Sequence, residues 1–212
     1  MYQPPAFRET DLATQQAFIA AHPLGLLISG GTAGLIANPI PFILYPEEGE
    51  FGTLRAHLSR GNAQWKALAE SPDALIVFQG AEHYITPSWY AQKAVDGKVV
   101  PTWNYATVQA RGTALIIEDA AWLLGNVSAL TDQQEGRRTT PWAVSDAPDA
   151  FISSQLKGIV GIEIVIASLE AKFKASQNRS EADRHGVVEG LADEPSADAA
   201  AMRELVKARG GV

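Results

Sequence analysis

Residues 51–65 read FGTLRAHLSRGNAQW, a pattern that predicts a strand running into a turn and then a helix. Along the strand, one face holds Phe51, Thr53, Arg55, His57 and Ser59, and the other holds Gly52, Leu54, Ala56 and Leu58. Because successive strand side chains point to opposite faces, one face is apolar and the other is chemically rich. Gly61 then leads into a helix over about 62–70, with Asn62 as its N-cap and Trp65, Leu68 and Ala69 facing inward.

Other strands and helices are predicted on both sides of this stretch. The strands are 24–29, 35–45, 74–78, 99–117 and 159–176, and the helices are 11–21, 119–131, 148–157, 179–192 and 196–209. Pro39 and Pro41 interrupt 35–45, so that strand is expected at a sheet edge or with a bulge. Residues 30–34, rich in glycine, predict a hairpin turn. Segment 99–117 is either one strand or a pair that bends at Gly112.

The order of these elements indicates the fold class. About six or seven strands are joined mainly by short turns, and helices do not alternate regularly with them. Such an order is unlike a doubly wound parallel sheet. The sequence therefore predicts an α+β fold, an antiparallel β-barrel with peripheral helices.

The composition excludes several classes of protein. The 212 residues carry a net charge of −7 and no cysteine. The negative charge disfavours nonspecific binding to nucleic acid or to an anionic membrane. The absence of cysteine excludes disulfides, thiolate metal ligands and cysteine nucleophiles. With no cationic region at the N-terminus and apolar runs mostly far below the roughly 20 residues of a membrane span, a soluble cytoplasmic protein is expected.

A candidate phosphate site lies where the strand at 51–59 ends. Arg55, His57 and Ser59 share the polar strand face, and Arg60, the Gly61 amide and a helix N-terminus follow. Arginine matches phosphate oxygens with a planar fork, and helix N–H groups add uncharged donors. The alternative is a solvated strand-to-helix turn with an ordinary cap, which the spacing alone favours.

A second candidate region is aromatic. Residues 84–90 (YITPSWY) form a predicted aromatic loop, and residues 99–105 (VVPTWNY) follow Lys93. Together with Lys93, Thr102 and Asn104, these rings have the composition of a pocket for a planar heterocycle. Aromatic clusters more often form a core or an interface, and that interpretation comes first on the residues alone.

Two further patterns carry less chemistry. The four histidines lack the spacing of metal ligands, so no metal site is assigned. Residues 169–176 alternate in character and predict a half-exposed strand, followed by Gln177, Asn178 and Arg179 on a turn. The cations there, Lys172, Lys174, Arg179 and Arg184, are expected to form a charge-compensated surface with Glu170, Glu181 and Asp183.

Several motifs together resemble one family. They are the N-terminal Met1-Tyr2 with Pro5 and Phe7, HPLG at 22–25, HLSRGNAQW at 57–65, YITPSWY at 84–90, VPTWNY at 100–105 and SQNR at 176–179. In order and spacing they are similar to the PaiB-type FMN-binding negative transcriptional regulators, over residues 1 to about 191. Two positions depart from the family pattern, which usually has alanine in place of Ser59 and proline in place of Ala63. Loss of proline at a helix start loosens it slightly, while the Ser59 hydroxyl adds a group for phosphate.

The resemblance implies a fold, a cofactor and an assembly. The fold is an FMN-binding split barrel related to pyridoxamine-phosphate oxidases, spanning 1–191 with a variable helical extension at 192–212. The assembly is a homodimer with flavin at the subunit interface. The implied FMN-binding residues near the phosphate are Ser59 and Arg60, supported by Arg55, His57 and Asn62. Those near the ring or ribityl chain are Lys93, Thr102, Trp103 and Asn104, and Gln177 and Arg179 reach over from the partner subunit.

Three functions compete on this basis. The first is a flavin-dependent transcriptional regulator or sensor. The second is an FMN-dependent oxidoreductase or a haem-handling enzyme on the same barrel, although the sequence identifies no catalytic acid or base. The third is direct DNA binding, which the charge does not support because the best amphipathic helix, 119–131, has no lysine or arginine.

Overall fold

A computed structural model of the chain describes residues 1–31 and 34–212. Those residues form eight strands: β1 (Arg8–Glu9), β2 (Leu24–Gly31), β3 (Gly34–Pro41), β4 (Ile43–Tyr45), β5 (Thr53–Ser59), β6 (Asp73–Ile85), β7 (Thr102–Ile117) and β8 (Ile159–Lys174). They also form seven α-helices: α1 (Leu12–Ala21), α2 (Gln64–Glu70), α3 (Gln92–Val95), α4 (Ala120–Glu135), α5 (Asp149–Leu156), α6 (Glu181–Ala192) and α7 (Ala197–Gly210). The predicted elements are therefore present, and the strand count of six or seven is slightly low.

The strands form one sheet in the order β3-β2-β6-β7-β8-β5-β4, and β1 pairs with β8. Every pair whose register is described is antiparallel. The hairpin of β2 and β3 runs from the pair Leu24–Pro41 to the pair Gly31–Gly34. The middle of the predicted turn at 30–34, Thr32 and Ala33, lies outside the described residues.

The predicted strand 35–45 is divided, which corrects the sequence interpretation. Its first part is β3, at one end of the strand order, and its last part is β4, at the other end. Phe42 lies between them, fully buried, and its N–H donates to the Pro23 carbonyl at 2.8 Å. The edge position expected for the proline-containing strand is confirmed for β3, since a strand at an edge needs fewer N–H donors.

Segment 99–117 forms one strand, β7, that begins at Thr102 and continues through Gly112. A Cβ at Gly112 would lie 2.2 Å from the Val165 carbonyl oxygen. Glycine is therefore required there by the close approach of the β8 backbone, and not by a turn.

The chain divides into two compact units. The central unit comprises Leu12–Phe78 and Gln109–Leu169, and the terminal unit comprises Met1–Asp11, Gln79–Val108 and Glu170–Val212. The fully buried core residues of the central unit include Leu27, Phe42, Leu54, Ile76, Phe78, Ile162 and Ile164. The core of the terminal unit is Ile85, Tyr90, Ala175, Val187, Leu191, Ala199, Met202 and Val206.

The two C-terminal helices belong to the core of the terminal unit. Ser196 caps α7 by accepting a hydrogen bond from the Ala199 N–H at 3.0 Å, as the sequence indicates. Trp89 packs against α6, where a Cβ at Gly190 would lie 2.3 Å from the indole. Glycine at this position lets the indole lie directly on the helix backbone.

The end of β8 is more buried than its alternation predicts. Lys172 is 8% exposed and Ser176 is 3% exposed, although both belong to the face expected to meet solvent. Lys172 lies opposite Arg8 in the backbone pairing of β8 with β1, and its ammonium lies beside the rings of Tyr2 and Tyr105. The prediction of a half-exposed strand is wrong at these two residues, because the N-terminal segment lies against Lys172 and Ser176 is buried beside Asn104.

Candidate functional site

Strand β5 presents its polar side chains as the sequence predicts. Leu54, Ala56 and Leu58 are buried, while Arg55 and His57 are half-buried on the opposite face and Ser59 is exposed. The strand pairs with β8 on one side and with β4 on the other, which fixes the orientation of that face. The first group of predicted FMN-binding residues is therefore displayed together in the central unit.

Arg55 is held by two carboxylates. Its Nε donates to Glu163 at 2.7 Å, its Nη2 donates to Glu48 at 2.7 Å, and its guanidinium lies 4.3 Å from the centre of the Tyr45 ring. Burial lowers the pKa of Arg55, but Glu163 and the other partners outweigh burial and the net pKa is raised. In this arrangement Arg55 joins β5 to β8, and a phosphate would have to compete with both acids for it.

His57 lies against an apolar cavity of about 260 Å³, lined mainly by side chains of α4 and α5. The Asn126 amide Nδ2 lies 3.1 Å from its Nδ1. Nδ1 accepts this hydrogen bond when the ring proton is on Nε2. Burial lowers the pKa of His57, which keeps the imidazole neutral at pH 7.

The turn after β5 is ordered by its own hydrogen bonds. Ser59 Oγ accepts from the Gly61 N–H at 3.2 Å, and the Asn62 N–H donates to the Ser59 carbonyl at 2.9 Å. The Ser59 hydroxyl keeps its proton free to donate to an anion. Arg60 donates from Nη1 to Glu118 at 2.6 Å, with both side chains well exposed, so an incoming phosphate can displace this carboxylate at small cost.

Helix α2 begins later than predicted, and its buried residues are only partly the ones predicted. It starts at Gln64, and the Asn62 side chain accepts from the Gln64 N–H at 3.0 Å, so Asn62 stabilises the start from outside the helix. Ala69 is exposed, which corrects its assignment as inward, and Trp65 is half-buried. Gln64 and Leu68 are the buried pair. With seven residues and its first N–H bonded, α2 offers a phosphate little beyond Arg60 and Ser59.

Gln64 is a buried residue that the sequence reasoning missed. Its Nε2 contacts the Leu27 carbonyl, Ser29 Oγ and the Ile36 carbonyl at 3.0–3.3 Å, and its Oε1 accepts from Asn38 at 2.8 Å. The carboxamide thereby ties the turn after β5 to the β2–β3 hairpin. Gln64 lies four residues before Leu68, a spacing that places both on one face of the helix and could have predicted its burial. A polar glutamine interrupts the apolar pattern by which a buried helix face is recognised.

The second group of predicted residues lies in the terminal unit, on β7. Asn104 is fully buried, and its Nδ2 donates to Ser176 Oγ at 2.9 Å while its Oδ1 has no partner within the described residues. Trp103 is 50% exposed, its Nε1 donates to Glu82, and its ring lies 5.9 Å from that of Tyr84. Thr102 contacts the Lys174 ammonium through its Oγ1.

The remaining predicted residues have different surroundings. Lys93, exposed on α3, donates to Ser88 Oγ at 3.2 Å. Gln177 uses its whole amide on the local backbone, with Oε1 accepting from the Ala175 N–H and Nε2 donating to the Phe173 carbonyl. Ser176, which lies between Ala175 and Gln177, has a φ of 62°, so Gln177 stabilises an unusual turn. Arg179 lies with its guanidinium 4.4 Å from the centre of the Tyr90 ring.

The predicted site residues thus form two sets, one in each unit. The central set is Arg55, His57, Ser59, Arg60 and Asn62, and the terminal set is Lys93, Thr102, Trp103, Asn104, Gln177 and Arg179. For the aromatic stretches, the sequence left open a core and a pocket. Tyr90 belongs to the core, whereas Trp103 and Tyr84 expose about half of their surfaces and are available to a ligand. Lys174, predicted only as one of the surface cations, shares a strand face with Ser176.

Two searches of the described residues concern other kinds of site. Residues 1–31 and 34–212 contain no helix that is both long and apolar enough to cross a membrane. The same residues contain no group of three or more histidine, aspartate or glutamate side chains that could hold a metal ion.

Comparison with known proteins identifies the family. A family model described as "Putative FMN-binding domain" matches residues 1–168. The chain belongs to this FMN-binding family. The match confirms the resemblance drawn from the sequence motifs, and it confirms FMN as the cofactor.

The relatives cover the whole FMN-binding chain. It is 30% identical to "Protease synthase and sporulation protein PAI 2" of Bacillus subtilis, across 98% of this chain and 97% of that protein. It is 34% identical to an uncharacterized protein of Emericella nidulans, across 99% and 98%. The solved structure of a FAD and heme binding protein from Mycobacterium smegmatis has a TM-score of 0.57 at 17% identity, covering 79% of this chain and 73% of that one. That likeness shows a shared fold, and the predicted class, an α+β antiparallel split barrel, is confirmed.

The residues of the FMN-binding chain fit the chemistry of the cofactor. Arg60 and the Ser59 hydroxyl are donors for a phosphate, and half-exposed Trp103 and Tyr84 offer faces for a planar ring. The buried Asn104 Oδ1, which has no partner within the described residues, is an unused acceptor in the terminal unit. The central set therefore suits a phosphate, and the exposed rings of the terminal set suit a planar heterocycle.

Proposed function

We propose that this chain is a flavin-dependent regulator or sensor of the PaiB type, a cytoplasmic homodimer that holds FMN at its subunit interface. The observation that carries the proposal is the end-to-end match with the Bacillus protein, whose name links it to protease synthesis and sporulation. The correspondence extends over the C-terminal helices as well as the FMN-binding domain. A regulator of the same construction is the simplest function for a chain that shares the whole length.

The chemistry of the central set supports a sensor more than a proton-transfer enzyme. Of its five residues, His57 alone has an ordinary pKa near neutrality, and burial lowers that pKa further. Its Nδ1 is also committed to Asn126. The set therefore binds and orients, and FMN supplies the redox-active ring when bound.

In this proposal Ser59 and Arg60 hold the FMN phosphate. Lys93, Thr102, Trp103 and Asn104 lie along the ring or ribityl chain. The partner subunit contributes Arg179, and its Gln177 holds the turn that positions Arg179. Arg55, His57 and Asn62 maintain the shape of the strand end. These roles are supported by the donors described above and by the motifs shared with the family.

The test is a titration of the purified protein with FMN, followed by absorbance and by light scattering for mass. Saturable binding with a shifted flavin band and a mass of two chains is expected. The loaded protein is then exposed to NAD(P)H and, separately, to promoter DNA over a range of salt concentrations. Rapid flavin bleaching would favour the alternative, an FMN-dependent oxidoreductase, and haem binding in place of FMN would favour a haem-handling enzyme.

A further inference from the structure

Three cations lie together at the end of β8 and on the turn that follows it. They are Lys172, Lys174 and Arg179, called here the basic cluster. Lys172 and Lys174 alternate onto one strand face, and Arg179 follows the Ser176 turn, with its N–H donating to the Ser176 carbonyl at 2.9 Å. The whole chain has a net charge of −7, so three neighbouring cations stand out against an acidic background.

The acids expected to compensate this cluster are engaged elsewhere. Glu170 pairs with the N-terminal ammonium at 2.6 Å. Glu181 lies 3.8 Å from His185, and Asp183 accepts from the Gln92 N–H at 2.9 Å. Over the described part of the chain, no carboxylate oxygen lies within 4 Å of a cluster cation. The sequence expectation of a charge-compensated surface is therefore wrong at these three residues.

Aromatic rings and backbone oxygens supply part of the missing compensation. The Lys172 ammonium lies 5.2 Å from the centre of the Tyr105 ring, and Lys174 donates to the Trp103 carbonyl at 2.7 Å. A cation–π contact returns less than the hydration that a buried ammonium gives up by leaving water. The burial of Lys172 at 8% exposure without an acid is thus costly in the free chain.

The cations also repel one another. Burial lowers the pKa of Lys174, and the charges of Lys172 and Arg179 lower it further. A bound anion would relieve this repulsion and supply the missing counter-charge. Two neutral residues adjoin the cluster: Asn104, whose buried Oδ1 has no partner within the described residues, and Trp103, whose carbonyl accepts from Lys174 and whose ring is half-exposed.

We propose that the basic cluster is an anion-binding site that takes the phosphate or carboxylate of a small planar molecule, with its ring against Trp103. Its residues, unlike Ser59 and Arg60, all belong to the terminal unit. The anion is a second ligand that the flavin-loaded protein senses, and this inference rests on the proposed function, in which Ser59 and Arg60 hold the FMN phosphate. The experiment separates it from the alternative that the cluster holds the FMN phosphate instead.

The test uses a double variant, Lys174→Gln with Arg179→Gln, in the full-length protein. The matched control is Lys98→Gln, an exposed lysine of the same unit outside the cluster. A conservative variant, Lys174→Arg, keeps the charge. Dissociation constants are measured for FMN, for riboflavin, which lacks the phosphate, and for salicylate and inorganic phosphate with and without FMN.

We expect the double variant to weaken anion binding about tenfold or more, since two charge-assisted contacts are removed. Weaker FMN binding with unchanged riboflavin binding would assign the cluster to the flavin phosphate. Unchanged FMN binding with loss of salicylate or phosphate binding would assign it to a second ligand. Lys98→Gln should match the wild type, and Lys174→Arg should retain binding.

Equal affinities of the double variant and the wild type for all four ligands would overturn the proposal, as would an equal loss in Lys98→Gln. Thermal unfolding controls for folding, since the double variant also removes the contacts of Lys174 with Thr102 and with the Trp103 carbonyl. If the wild type binds no flavin, the proposed function fails, whereas salicylate binding by the flavin-free protein still decides the anion site.

Discussion

Replacing Arg60 by alanine should weaken FMN binding by an amount that the structure limits. A hydrogen bond to a charged group contributes about 1.5–3 kcal/mol. In the free protein, however, Arg60 already pairs with Glu118 at 2.6 Å, and binding must give up this pair. Exposed ion pairs contribute about 0–1 kcal/mol, so subtracting about 0.5 leaves about 1–2.5 kcal/mol, or roughly a 5- to 70-fold loss of affinity.

The competing carboxylate provides a second, opposite change. Glu118→Gln removes the partner of Arg60 while the Lys157 carbonyl still accepts from its Nε at 3.0 Å. FMN should therefore bind up to about five times more tightly in this variant, since the exposed pair is worth at most about 1 kcal/mol. Opposite shifts from the two partners of one ion pair are hard to attribute to a general loss of folding.

The assay is quenching of FMN fluorescence at fixed ionic strength, with riboflavin measured in parallel. Riboflavin affinity should not change in either variant, because the contact is to the phosphate. Arg138→Ala is the matched control, since Arg138 also pairs with a nearby glutamate, Glu135. Unchanged FMN affinity in Arg60→Ala, or an equal loss for riboflavin, would refute the assignment of Arg60 to the phosphate.

Three further predictions concern stability. Gly190→Val should lower the free energy of unfolding by about 1–3 kcal/mol in urea, because its Cβ would lie 2.3 Å from the Trp89 indole. Gln64→Met should cost about 2–6 kcal/mol, because it strips four buried contacts worth about 0.5–1.5 kcal/mol each. For Glu9, burial raises the pKa, but the bonds from Asp11 and Arg209 outweigh it and the net pKa lies below 4.5. The stability that Glu9 contributes is therefore present above pH 4.5 and lost as the pH falls through its folded-state pKa, a loss that Glu9→Gln should abolish.

Each of these has a control on the same chain. Gly125→Ala, where a new Cβ meets nothing, should not destabilise, and equal losses at Gly125 and Gly190 would contradict the packing explanation. Gln134→Met on the exposed side of α4 should be nearly neutral. Glu47→Gln, also exposed, should leave the acid limb of the stability curve unchanged. An acid limb unaltered by Glu9→Gln would show that Glu9 carries no such linkage.

Local patterns in the sequence determined much of the fold. The alternation along 53–59 gave the polar face of β5 that holds Arg55 and His57, and the cap at Ser196 gave the start of α7. These predictions succeed because strand alternation and helix capping depend on neighbours within a few residues. The family motifs identified FMN for the same reason, since each is a short local string.

Only the tertiary structure decided how the charges are paired. Arg55 meets Glu163 across 108 residues of chain, and Glu170 is taken by the N-terminus, which leaves Lys172 buried without an acid. The sequence pattern also did not predict that segment 35–45 divides into β3 and β4 at opposite ends of the strand order. Periodicity indicates which face of a strand is polar, but the partner of each side chain depends on strand register and on which distant segment covers that face.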